Sequence, residues 1–444
     1  MDPVVLSRVQ FGFTVGFHYI FPAITMGLTL AIVVLETRAW RRQDAIARQA
    51  SAFLIRILSV VFVIGVATGI VLAVTIGTNW SSFSRLVGDV FGVALVAEGI
   101  FAFFLESTFL GVLLFGKERV SPKMYWLSAL LVAVGAHLSG LWILVANSWM
   151  QTPAGYAVTT DGIVLTDWWA AFANPSTGVR FVHTILGGWI TGGFLVAGIS
   201  AWYLLKGRHL ETAKAMMRVA LAILIVSALA MPFAGHVHSV QVANTQPAKL
   251  AAYEGLWQTS TNAPLALFGI PDESTGTTNF YVGVPGFLSF LIGFDFNRQV
   301  LGLNDVPLDE RPPVLLSFAS YHIMIALGGL FVLVALAGAV LWRTGRLWGS
   351  SRWTRWYLRG LVLAIPLPHL ANQFGWIGAE VGRQPWTVYG VLRTKDAVSV
   401  VVPDWQILTS LALLAIVYAF LFFLFVARLR RIVREGPAAT AGHR

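Results

Sequence analysis

Nine apolar stretches, each about 20 residues or longer, run through this chain near 11–36, 54–77, 90–116, 124–146, 181–205, 219–240, 316–342, 358–378 and 405–427. Segments of that length have no stable place on a water-facing surface. In a bilayer they must satisfy every backbone N–H and C=O internally, which at this length means helices. With 57% hydrophobic residues, only 12% charged ones, and 30 Phe, 17 Trp and 10 Tyr, the composition agrees. The expected fold is an all-α integral membrane protein, a bundle of about nine transmembrane helices forming a single membrane domain over 1–444. The first stretch is too long for a signal-peptide core and is followed by no small-residue cleavage site, so it is expected to stay in the mature protein.

Lys and Arg orient the bundle. Five lie in Arg38–Arg56, three in Lys117–Lys123, four in Lys206–Arg218, five in Arg343–Arg359 and five in Arg428–Arg444. These groups follow the first, third, fifth, seventh and ninth stretches and hold 22 of the 31 basic residues. By the positive-inside rule the N-terminus is outside and the C-terminus cytoplasmic. The formal charge of +10 is therefore a topology signal, and no nucleic-acid partner is expected. One connection is long: 241–313, between the sixth and seventh helices, is extracytoplasmic on this reading and rich in Pro, Gly, Asn and Thr. Its apolar piece VGVPGFLSFLIGF (282–294) is too brief to cross. A loop of this length in a compact bundle is usually functional.

Ionisable groups at membrane depth are expensive and mark function by default. Combined with the orientation, His18, Glu98, His183 and Met324 fall early in inward-running helices, while Glu380 and Asn147 fall late in outward-running ones. All of them therefore gather in the outer half of the bilayer. Taken singly, each has a plainer reading, such as a hydrogen-bonded core histidine or a packing methionine. Taken together, imidazole, thioether and carboxylate without any thiolate are an iron-porphyrin ligand set. The chain has no cysteine, which excludes thiolate-held clusters, thiolate haem ligands, disulfides and C-x-x-C-H haem attachment. His137 and His369 lie nearer mid-membrane and read as structural, and His236 and His238, about 200° apart on a helix, cannot both face one metal. Glu98 and Glu106 on one regular helix stand about 12 Å and about 80° apart, close enough for a proton to step between them through one or two waters.

Several stretches carry a resemblance: LSRVQFGFTVGFHYIF (6–21), EGIFAFFLESTFLG (98–111), HLSGLWILVANSWMQTPAGY (137–156), RFVHTILGGWITG (180–192), QPAKLAAYEGLW (246–257) and GAEVGRQPW (378–386). They resemble subunit I of the cytochrome bd-type quinol oxidases over nearly the whole chain, in the form with a short quinol loop. That resemblance implies two haem b, one low-spin and one high-spin, and one haem d near the outer face. His183 and Met324 would be the axial ligands of the low-spin haem b. His18 and Glu380 would ligate the other two, with the haem d ligand left unassigned between them. Arg383 and Trp386 would neutralise propionates and pack against porphyrin. Glu98 and Glu106 would lie on the proton route, and Lys249 and Glu254 in the 241–313 loop would serve quinol oxidation. Many relatives carry Arg where this chain has His322, a residue expected to face away from Met324.

The implied activity is that of a respiratory terminal oxidase in the bacterial cytoplasmic membrane, taking electrons from ubiquinol or menaquinol and reducing O2 to water, charging the membrane without a pump. Its implied partners are a second membrane subunit, subunit II, and a small single-helix subunit. Two other haem classes do not fit: a haem–copper oxidase needs about six histidines around haem and copper, and a cytochrome b of the quinol–cytochrome c type needs histidine pairs 13 or 14 apart on two helices. The competing class is a haem-free proton-coupled transporter using Glu98, Glu106 and Glu380. No internal repeat of the kind that builds many transporters is visible.

Overall fold

The computed structural model describes residues 2–160 and 162–438. Its long helices are α1 (Pro3–Arg41), α2 (Ala45–Asn79), α3 (Gly88–Phe115), α4 (Pro122–Gln151), α5 (Thr177–Lys206) and α6 (Leu210–Thr245). A short α7 (Pro247–Glu254) follows, then α8 (Val314–Arg343), α9 (Arg352–Leu363), α10 (Leu367–Val381) and α11 (Asp404–Glu435). Among the described residues, eight helical segments are long and apolar enough to span a bilayer, so the chain is an all-α, multi-pass membrane protein. Helix starts follow the local chemistry: Asp2, Asp44, Ser121 and Ser351 each accept a hydrogen bond from a backbone N–H of the first turn, and Pro3 and Pro122 open α1 and α4.

The stretch expected as one span near 358–378 is two helices. Pro366 has no N–H to give and its ring crowds the preceding turn, so α9 ends at Leu363 and α10 begins at Leu367. The consequence is functional, because α10 is thereby freed to lean into the bundle. It packs on α8, α5 and α1, whereas α9 packs on α5.

Helices α1 and α5 form the enclosed centre; α8 and α11 lie at the periphery and leave most of their apolar side chains open. The centre is tight because its crossing is made of glycine. A Cβ on Gly192 would stand 2.5 Å from Gly27 Cα, and one on Gly27 would stand 2.7 Å from the Gly188 carbonyl oxygen. Gly188 and Gly192 are four apart and present one smooth face to α1, the small-xxx-small device that lets membrane helices approach. Gly192→Val must push α1 from α5, and overpacking of this kind costs about 1–3 kcal/mol. A thermal-unfolding assay on the detergent-solubilised protein should show a clearly lowered midpoint.

The connection after α6 is structured throughout. It holds α7, an antiparallel hairpin of β3 (Leu265–Asp272) and β4 (Thr277–Val284), and a seven-residue helix, Phe287–Gly293, inside the apolar piece singled out above. Two smaller hairpins, β1 (Tyr156–Thr159) with β2 (Gly162–Leu165) and β5 (Trp386–Val388) with β6 (Leu392–Arg393), cap the same end of the bundle.

Candidate functional site

Helix α10 is the axis around which the singled-out residues are arranged. Gln373 on α10 donates to the Gly16 carbonyl of α1 at 2.6 Å, and Asn372 donates to Thr191 of α5 at 2.9 Å. Trp376 meets Tyr19 edge-on, two rings 5.5 Å apart. Gly375 leaves room for the Met324 thioether of α8, since a Cβ there would stand 2.9 Å from the sulfur. Helix α10 then ends in Glu380.

Glu380 is held from every side. Its Oε1 accepts from Asn147 at 3.1 Å and from Gln151 at 3.3 Å, both on α4, and its Oε2 is paired with Arg383. Arg180 of α5 lies 4.0 Å away, donates to Asn147 and stacks over Trp376 at 5.6 Å. Arg180 and Arg383 are both buried. Lys249 of α7 is buried too, and joins the group by donating to Gln151 Oε1 and to Gln246 Oε1. Two guanidinium groups thus lie beside one carboxylate, with the Lys249 amine behind Gln151. Nε of Arg180 and Nη1 of Arg383 remain buried without a partner, so the site carries positive charge and donors in excess.

Lys249 responds to that charge. Burial, then the Arg180 and Arg383 guanidinium groups, push its ammonium well below the ordinary lysine range. In its neutral form the amine gives its two protons to the two glutamine oxygens and keeps a lone pair, the state of a base. Glu254, five residues on, turns about 140° away around α7. Its Oε2 accepts from Ala266 N–H at 2.9 Å, while Oε1 is buried without a partner. Burial raises this carboxyl to about 8. Both groups are buried, where solvated loop charges would be exposed.

The histidines divide by what their nitrogens do. The Thr68 hydroxyl donates to the Ile64 carbonyl at 2.9 Å, so it accepts the Nδ1 proton of His18 at 3.0 Å and leaves Nε2 of His18 with a free lone pair. Nδ1 of His183 is buried without a partner, and its ring meets His238 edge-on at 5.5 Å. His236 faces Phe294 instead, in keeping with the expected divergence of the two. His137 is fully occupied, donating to the Ala133 carbonyl at 2.7 Å and accepting from Trp189 at 2.9 Å, which is the structural role assigned to it. His322 lies against the Phe318 and Ala266 carbonyls, 2.9 and 3.2 Å away, whereas Met324 points to Gly375.

Glu98 and Glu106 need a correction. Their expected offset of about 80° assumed a regular helix, but Glu98–Phe103 is a π turn. Its wider i→i+5 spacing rotates the chain less per residue and brings both acids to the face packed on α4. Ser139 donates to Glu98 at 2.7 Å, and Gly135, one turn away on α4, lies directly against Glu106.

Trp386 lies under the Arg393 guanidinium at 5.0 Å, and its carbonyl accepts from Arg383 at 3.2 Å. Sequence reasoning missed Arg180, Gln151, Gln246, Tyr253 and Tyr321. Arg180 carried a readable signal, an arginine three residues before His183 and so on the same helix face; the glutamines and tyrosines carried none. Among the described residues no three His, Asp or Glu side chains gather to chelate a bare ion.

A membrane bundle with single imidazole, thioether and carboxylate donors around one helix, and a buried Lys and Glu in a structured loop beside it, has the layout of a membrane redox enzyme. Residues 6–437 match the family described as cytochrome bd terminal oxidase subunit I. The chain is 35% identical to cytochrome bd ubiquinol oxidase subunit 1 of Bacillus subtilis, over 97% of this chain and 94% of that protein. It is 31% identical to cytochrome bd-II ubiquinol oxidase subunit 1 of Escherichia coli, over 99% and 98%. The solved bd oxidase from Geobacillus thermodenitrificans superimposes with a TM-score of 0.90 at 30% identity, covering 98% of this chain and 99% of that one. The chain belongs to the cytochrome bd terminal oxidase subunit I family, and with it to the quinol:oxygen oxidoreductases of respiratory chains. Membership implies haem cofactors and a quinol substrate, and replaces the transporter alternative with an enzyme.

Proposed function

We propose that this chain oxidises ubiquinol or menaquinol at the loop formed by residues 241–313 and reduces O2 to water at haems held around α10. The burial of both Lys249 and Glu254 carries the quinol half of the reading, Lys249 as a neutral amine and Glu254 as a carboxyl that accepts a proton once it is ionised. Quinol releases two protons with its two electrons. The neutral amine of Lys249 takes one, and Glu254, once ionised, takes the other through its unpartnered Oε1.

The residues around α10 fit iron porphyrins. His183 and Met324 would hold a low-spin haem b, and His18 and Glu380 a high-spin haem b and a haem d. The free lone pair on His18 Nε2 suits an axial bond. The spare donors of Arg180 and Arg383 suit porphyrin carboxylates, with Trp386 packed alongside. Bound there, the haems supply one-electron transfer from quinol to O2. Glu98 and Glu106 share one helix face and hand protons along α4 toward the oxygen site. With the N-terminus outside, quinol protons leave outside and those consumed arrive from the cytoplasm, which charges the membrane without a pump. The reading includes a second membrane subunit, subunit II, a small single-helix subunit, and a place in the bacterial cytoplasmic membrane.

The test is the pH profile of quinol-driven O2 uptake by the purified complex. A carboxyl raised to about 8 is mostly protonated at pH 6 and ionised at pH 9, so the rate should climb through about pH 8. Glu254→Gln should lose about 100-fold in rate and the climb with it. A variant of near-normal rate with the same profile would remove Glu254 from the reaction.

A further inference from the structure

Two tyrosines that no part of this mechanism uses join the quinol loop to the helix carrying Met324. Tyr253 lies on α7 between Lys249 and Glu254, and is buried. Tyr321 lies on α8, three residues before Met324 and so on the same helix face. Their rings stack face to face, with centroids 4.5 Å apart and planes within 5°. The free edge of Tyr253 abuts the end of α10: a Cβ on Gly382 would stand 3.2 Å from Tyr253 Cε1, and one on Gly378 would stand 3.7 Å from it. Tyr253 therefore touches α8 and α10, two of the four helices that present proposed haem ligands, and does so from the two-turn helix that presents both proposed quinol groups.

We propose that the Tyr253–Tyr321 stack is a positioning pair, fixing α7 and its quinol groups at the distance and orientation from the Met324 helix that electron entry requires. Neither ring is oxidised. The inference rests on the quinol-oxidase reading. Helix α7 packs on α6 and α8 and is tied at one end by the Lys249 cluster and at the other by the bond from Ala266 N–H to Glu254, and the aromatic pair adds defined geometry to its contact with α8. A displacement of about 1 Å at a reacting pair is enough to cost about 100-fold in rate, so loss of the stack reads out in the rate of electron entry. The pair was not visible in the sequence, since 68 positions separate its members.

The experiment is stopped-flow reduction of the complex under anaerobic conditions, by a short-chain quinol and separately by dithionite, with Tyr253→Phe, Tyr253→Leu, Tyr321→Phe, Tyr321→Leu and the double leucine variant. Phenylalanine keeps the ring and should reduce within about twofold of wild type. Each leucine variant should slow quinol-driven haem reduction at least tenfold, mainly in the limiting rate and not in the quinol concentration needed for half of it. The dithionite-reduced spectrum should be unchanged, and the double variant no slower than the worse single one, because one contact has been removed twice. Leucine variants reduced by quinol at the wild-type rate, additive losses in the double variant, or an altered dithionite-reduced spectrum would each overturn the proposal. A wild-type complex with no haem to reduce would instead overturn the oxidase reading on which it stands.

Discussion

His183→Ala removes the low-spin b-type band from the reduced spectrum and lowers quinol-driven O2 uptake by at least about 100-fold. As the proposed ligand His183 would have no substitute: Met324 would supply only a thioether, and Nδ1 of His183 is buried without a protein partner. Low-spin character needs two axial bonds, so the remaining thioether cannot sustain it. Optical spectra of the purified complex check the first effect and an oxygen electrode the second. The high-spin haems should persist, because His18 is fixed independently by Thr68 on α2. A His183→Ala protein with its low-spin band intact would remove this residue from the ligand set.

Glu380→Ala should be the most damaging single change to the outer end of the bundle. It leaves Arg180, Arg383 and Lys249 buried together with no carboxylate among them. Removing one member of a buried ion pair costs about 3–5 kcal/mol, and the lower end applies because the Glu380 side chain keeps 25% of its surface. The cost falls on α4, α5, α7 and α10 at once, since Asn147, Gln151 and Arg180 meet at this carboxylate and Lys249 is tied to it through Gln151. Glu380→Gln keeps an oxygen that accepts the hydrogen bond from Arg383 and loses the charge, so it should recover part of the stability but not the haem. Thermal unfolding with haem quantification by pyridine haemochrome separates the two effects. A Glu380→Ala complex as stable as wild type, with full haem content, would contradict both.

How much of this was legible in the sequence differs sharply between the fold and the site. Membrane spans announce themselves, because a bilayer demands about 20 apolar residues in a row whatever the neighbours are. The exception, the stretch near 358–378, failed through Pro366, whose effect on a helix is local and was readable but outweighed by hydropathy. The expectation that His18, His183, Met324 and Glu380 gather in the outer half of the bilayer rests on depth along each span, which needs no tertiary information. What depth cannot provide is rotation. The π turn at Glu98 changes which way Glu106 faces and leaves no mark in composition. Partners are equally hidden: that Gln151 on α4 and Gln246 before α7 would take the two protons of Lys249 depends on how three separated segments pack.

The central claim is that this chain holds haems around α10, and the visible spectrum of the purified complex tests it most directly. The dithionite-reduced minus oxidised difference should show b-type bands together with a chlorin band in the red that shifts when carbon monoxide is added. A complex that shows no haem bands at all would contradict the account.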